Sequence, residues 1–267
     1  MKPFSKSRPL QAAGALSLLL ILLFQSTGNK AMAQEAADAR TKPSNGKSLK
    51  DPGRDYLAMV PTPPPMADGA DFIQKMQSAA DSYQDYYFEY KMSAFKHGTV
   101  VEEGKFWFKK PRLLRLEEIG EFKHGCTAIL TASGKVKAKA GGALGVFTVD
   151  LAPQNNMLRS ANGYPMVQSD LSSLAAALRK FLAEGKTAKV SQNALQISSQ
   201  PQKVHILEIY QNPNHQIYKR VAVDSNSFLP VEWWDFESGK LVSHSIWKTF
   251  KGNIALSNTL FEDVNRK

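Results

Sequence analysis

The 267-residue sequence predicts a mainly β (α+β) protein: an incomplete antiparallel β-barrel of about ten strands, with helices covering the open face. Three observations lead there. From Tyr86 onward, short runs of period-two alternation follow one another, punctuated by Gly, Pro, Ser and Asn. Only two stretches keep the 3.6-residue period of an amphipathic helix. A sheet of that many strands does not stay flat, so it curls.

The elements follow in order. A helix begins at Asp68 or Asp71, with Phe72, Met76, Ala79, Ala80 and Tyr83 on one apolar face. Tyr86, Phe88, Tyr90 and Met92 then alternate with polar neighbours, and His97-Gly98 turns the chain. Val100, Phe106 and Phe108 share one side of the next strand, where Gly104 suggests a bulge. Pro111 ends it, and Leu114 and Leu116 alternate with Arg115 and Glu117. Residues 126–131, 135–140 and 146–151 read as three short strands. The second helix is capped by Ser169 or Asp170, carries Leu171, Leu174, Ala175, Leu178, Phe181 and Leu182 as a stripe, and stops at Gly185. Strands resume over 189–197, 204–210, 217–223, 231–236 and 241–250, the last two joined by a turn at Glu237-Ser238-Gly239-Lys240.

Residues 1–33 read as a secretory signal: Lys2, Lys6 and Arg8, an apolar run over 12–24, and an A-x-A site at Ala31-Met32-Ala33. Export out of the cytoplasm is expected, with no transmembrane segment after cleavage. Residues 34–67 read as a disordered linker with six prolines, and the folded domain is expected over 68–267. The net charge of +10 includes Lys2, Lys6, Arg8 and Lys30, leaving +6 beyond the leader. These cations are scattered, without the basic, aromatic-studded stripe of a nucleic-acid groove. Cys126 is the only cysteine, so no intrachain disulfide forms and stability comes from the core.

No catalytic constellation emerges, and an enzyme is not expected. The five histidines have no ligand spacing, so neither a metal nor a cofactor is expected. Glu117 and Glu118 are adjacent, and adjacent strand residues face opposite ways, so they form no close carboxylate pair. What the chain offers is aromatic mass on strands. Phe106-Trp107-Phe108 and Trp233-Trp234 put large apolar groups on both faces, more than a one-sided core requires.

The segment from Gly104 to Glu117, GKFWFKKPRLLRLE, resembles the strand–turn–strand of the LolA/LolB-type lipoprotein-carrier family. The order of elements is similar too, as are Phe228-Leu229-Pro230-Val231-Glu232, Ser238-Gly239-Lys240-Leu241 and Thr259-Leu260-Phe261-Glu262-Asp263. The resemblance implies a half-barrel with a helical lid over an apolar cavity that holds acyl chains. It places Phe106, Phe108, Leu114, Leu116, Val231 and Trp233 on the cavity wall, and Phe72, Met76, Leu174 and Leu178 on the lid, fastened by Arg115. Leu116 stands where that family has Trp, and residues 128–151 lack its aromatic strand pair; here the chain looks closer to a domain-of-unknown-function branch of exported bacterial proteins. The expected function is therefore an envelope carrier or sensor of lipid or lipoprotein acyl chains. The alternatives are an envelope protein-interaction module and a hydrolase with an unrecognised site.

Overall fold

A computed structural model describes residues 65–142, 145, 147–211 and 216–266. The expected leader, and the linker up to residue 64, lie outside the described residues. The chain runs β1 (Met66–Asp68), α1 (Ala70–Ser82), β2 (Asp85–Ala94), β3 (Val100–Lys109), β4 (Leu113–Glu118), β5 (Thr127–Leu130), β6 (Val136–Lys139) and β7 (Thr148–Leu151). After an irregular segment come α2 (Leu171–Ala183), β8 (Thr187–Ser191), β9 (Leu195–Gln196), β10 (Lys203–Gln211), β11 (Gln216–Asp224), β12 (Pro230–Glu237) and β13 (Lys240–Gly252).

The thirteen strands among the described residues form one antiparallel sheet in the order β1-β8-β10-β11-β12-β13-β2-β3-β4-β5-β6-β7, with β9 beside β10. Its edges, β1 and β7, do not pair, so the barrel is incomplete. Two strands go beyond the eleven stretches read from the sequence. Residues 189–197 split into β8 and β9, and Met66–Asp68 pairs with β8. The ordered domain thus reaches into the stretch expected to be linker, because Met66, Ala67 and Asp68 find open backbone groups on the edge of β8.

Period two sorts each strand between two faces. On the inner face, Tyr86, Phe108, Leu114, Leu130, Val136 and Leu151 lie opposite one another across six strands. The two helices cover the other half of this face. Phe72, Ile73 and Met76 of α1 and Leu174, Ala175 and Leu178 of α2 pack on Val190, Leu207, Ile209, Val221, Val223 and Trp233. At about 25 cal/mol per Å² of apolar area removed from water, such a layer is the main force holding helices to sheet. Asp170 caps α2 by accepting from the Ser173 amide at 2.9 Å, and Gly185 ends it at φ 87°. The Tyr86 hydroxyl accepts a further N-terminal amide, that of Leu171, at 2.8 Å.

The outer face is also covered, which explains the apolar groups on both sides. Trp234 and Phe236 pack with Ile197, Val204, Ile206, Ala222 and Leu241. Leu113 and Ile129 lie beneath Phe261 and Val264 of the C-terminal segment, and Trp107 flanks them. Gly104 makes no bulge: β2, β3 and β4 stay in register across it, with Tyr90 and Glu118 opposite. It is glycine because the Tyr90 ring crosses its face, and a Cβ there would stand 2.6 Å from Tyr90 Cε1.

Candidate functional site

A cavity of about 90 Å³ lies between the inner face and the irregular segment that joins β7 to α2. Phe88, Tyr90, Met92, Phe106, Leu116, Trp233 and Trp247 form its sheet wall. Leu158, Tyr164 and Met166 of the covering segment and Leu174 of α2 close it from above. Strand alternation explains the wall: Phe88, Phe106 and Leu116 are paired neighbours on β2, β3 and β4, as are Tyr90 and Trp247 on β2 and β13. An apolar cavity of roughly 150 Å³ accepts a benzene, so this space takes a smaller group, such as the end of a chain.

The sequence-derived wall is brought together in part. Phe106, Leu116 and Trp233 border the cavity. Phe108 and Leu114 share the inner face but lie in the core one row away. Val231 is on the other side, packed with the Trp234–Phe236 cluster. The pairing shows why: Ala222 opposes Glu232 and Val223 opposes Pro230, so Val231 is the extra residue of a β-bulge and loses the side that Trp233 keeps. Of the residues assigned to a lid, Leu174 borders the cavity, while Phe72, Met76 and Leu178 are buried core between helices and sheet.

Arg115 fastens something different from a helical lid. It alternates with Leu114 and Leu116 and therefore points to the outer face, where it is 1% exposed. Its guanidinium donates to the carbonyls of Leu260 at 3.1 Å and Asp263 at 2.9 Å, reaches the Arg266 carbonyl as well, and pairs with Glu117 at 2.6 Å. Five donors in a fixed fork suit that cluster of acceptors. The C-terminal segment is what it clamps.

Two polar groupings stand at the cavity, and sequence reasoning missed both. In the first, the Tyr90 hydroxyl lies 3.0 Å from Glu102 Oε1 and 3.1 Å from Glu118 Oε1. The partner of Glu118 is thus across the hairpin, not its neighbour Glu117. One hydroxyl hydrogen serves one carboxylate only, so the second contact is satisfied when a carboxyl carries a proton. Burial, then the charge of Glu102, pushes the Glu118 carboxyl up to about 8. Burial raises Glu102 as well, against the stabilising amide of Ala161, which donates to Glu102 Oε2 at 2.6 Å. Two buried carboxyls sharing one hydroxyl hold a proton more firmly than either would alone in water. Beside it, burial lowers the Lys123 ammonium although both carboxylates oppose the shift. Lys123 donates to the Met157 carbonyl at 2.9 Å and to that of Arg159. The covering segment is therefore tied to the sheet through the acids and the lysine.

The second grouping centres on Asp235. Oδ1 accepts from Lys219 at 2.5 Å and from the Trp233 indole at 2.8 Å, and Oδ2 accepts from the Ser243 hydroxyl. Asn162 of the covering segment donates to Ser243 at 3.2 Å. Tyr164 faces this group, and burial followed by the Asp235 charge raises its phenol. The signal for both groupings was present in the alternation. Glu102, Glu118 and Asp235 fall at inward positions of otherwise apolar strand faces.

The fold and cavity define a class: an open antiparallel half-barrel with a roofed apolar pocket. No family model matches the chain, and no curated protein does. Among solved structures, it is similar to a DUF1329 family protein from Desulfovibrio piger, at 11% identity over 72% of this chain and 95% of that one, with a TM-score of 0.38. It is similar to a LolA superfamily protein from Nitrosomonas europaea at 11% identity, 73% and 97% coverage and a TM-score of 0.36. It is also similar to the Pseudomonas aeruginosa MucA/MucB complex at 12% identity and a TM-score of 0.41, covering 74% of this chain and 61% of that one. At these identities the likeness concerns the path of the chain alone.

Proposed function

We propose that this protein is an exported envelope carrier or sensor that holds the end of an acyl chain, from a lipid or lipoprotein, in the cavity of its half-barrel. In this reading residues 1–33 are a cleaved leader, and the linker read over 34–67 is, up to residue 64, a tether ahead of the folded domain. The observation that carries the reading is the apolar space left between Phe106, Leu116 and Trp233 and the covering segment. Side chains of a core without a ligand close such gaps, because unfilled space forfeits dispersion contacts. Each methylene placed there contributes about 0.8 kcal/mol, so several offset the cost of ordering the ligand. Phe106, Leu116, Trp233 and Leu174 touch the chain end, while Phe108 and Leu114 stiffen the wall behind them. A longer chain enters when residues 156–166 swing away from the sheet, breaking the contacts of Ala161, Asn162 and Lys123.

Gently purified protein, analysed by native mass spectrometry, is expected to carry lipid, and delipidated protein to take up a fluorescent acyl probe saturably. Ser245, on the cavity lining, offers the control. Ser245→Leu fills the space without removing a core contact and abolishes uptake. No bound lipid, no uptake and capture of an envelope protein instead would replace this proposal with the interaction-module reading. Turnover of a hydrolase substrate that is lost on mutating one polar residue would replace both.

A further inference from the structure

Resting on that reading of the cavity, with the head-bearing end of the chain as the end it holds, we infer that the site selects chains whose head donates a hydrogen bond, an amide or an alcohol, and rejects the free carboxylate of a fatty acid. Among the described residues, the lining contains two carboxylates, Glu102 and Asp235, and no Lys, Arg or His. The nearest cations stand behind these acids and are engaged: Lys219 with Asp235, and Lys123 with the carbonyls of Met157 and Arg159. The acids, and not these lysines, therefore border the cavity. Glu102 is 2% exposed, so water screens it poorly.

Acceptor capacity exceeds the donors supplied. Glu102 accepts from the Tyr90 hydroxyl and the Ala161 amide, and beside it Glu118 Oε2 is buried with no hydrogen-bond partner. An amide N–H or hydroxyl brought against Glu102 adds a donor to this acceptor-rich group in a charge-assisted hydrogen bond. A carboxylate in the same position has no proton to give and meets a like charge. The amide that links an acyl chain to a larger molecule differs from a free fatty acid on both counts, since it is uncharged and carries an N–H. The site thus distinguishes amide-linked chains and alcohols from free acids.

Octanamide and octanoate, alike in size and differing in head group, test this at pH 7.5, with the fluorescence of Trp233 and Trp247 on the cavity wall as the readout. Octanamide is expected to bind at least tenfold more tightly. In Glu102→Gln, octanoate should gain several-fold while octanamide binding persists, which also shows that the variant folds. Equal or tighter binding of octanoate to the unaltered protein overturns the inference while leaving the acyl site standing. So does discrimination that is unchanged in Glu102→Gln. Failure of both probes to bind overturns the acyl reading itself, and this inference with it.

Discussion

The ring of Tyr90 occupies the space that a side chain on Gly104 would need. The two residues are paired across β2 and β3, and a Cβ on Gly104 would also fall 2.7 Å from the Glu117 carbonyl. Gly104→Ala therefore displaces the tyrosine or the strand. The expected cost is about 1–3 kcal/mol, typical of overpacking, with a lower urea midpoint. Because Tyr90 holds Glu102 and Glu118, near-ultraviolet dichroism should change as well. A variant as stable as the parent would mean that Tyr90 can turn aside freely.

Stability should fall as pH rises across the neutral range. The Glu118 carboxyl is raised from 4.5 to about 8 in the folded protein, by burial and then by Glu102. A raised carboxyl means that the folded state binds the proton more tightly than the unfolded chain. Its contribution is fully present below about pH 4.5 and is lost progressively up to about 8. Urea midpoints for the parent and Glu118→Gln are the check. The amide mimics the neutral acid, so the variant should lose less stability between pH 5 and 8 than the parent does, in units of about 1.4 kcal/mol per pH unit per proton.

Arg115→Met should free the C-terminal segment while leaving the sheet intact. The guanidinium is buried and joins β4 to four carbonyls between Leu260 and Arg266. Removing one partner of a buried charged cluster costs about 3–5 kcal/mol. Amide exchange in residues 256–266 should accelerate, and limited proteolysis should cut there first. Protection that persists in this segment would mean that Phe261 and Val264 hold it by packing alone.

Tyr86→Phe should weaken the start of α2. Its hydroxyl is the acceptor for the Leu171 amide, and Tyr86 is 1% exposed, so no water replaces it. A buried donor left unpaired costs about 1–3 kcal/mol. The signature is faster amide exchange at Leu171 with unchanged exchange in β10 and β11.

Much of the architecture was legible because strand and helix periods are local. The alternation at Tyr86–Met92 and at Leu114–Leu116, the stripe at Leu171–Leu182 and the stop at Gly185 each describe an element without reference to the rest of the chain. The bulge at Val231 was not legible: whether a residue is extra depends on the partner strand, here β11. The same holds for Gly104, whose neighbour Tyr90 is fourteen positions away.

By itself the sequence determined which residues alternate, where helices start and stop, and that both faces of the sheet carry apolar mass. Only the tertiary structure decided which face encloses the cavity, that Arg115 holds the C-terminal segment, and that Glu102 and Glu118 meet at Tyr90. The physical reason is the range of the forces involved. Periodicity is set within a few residues by backbone geometry, whereas strand pairing and burial bring together groups far apart in the chain and change their proton affinity only on contact.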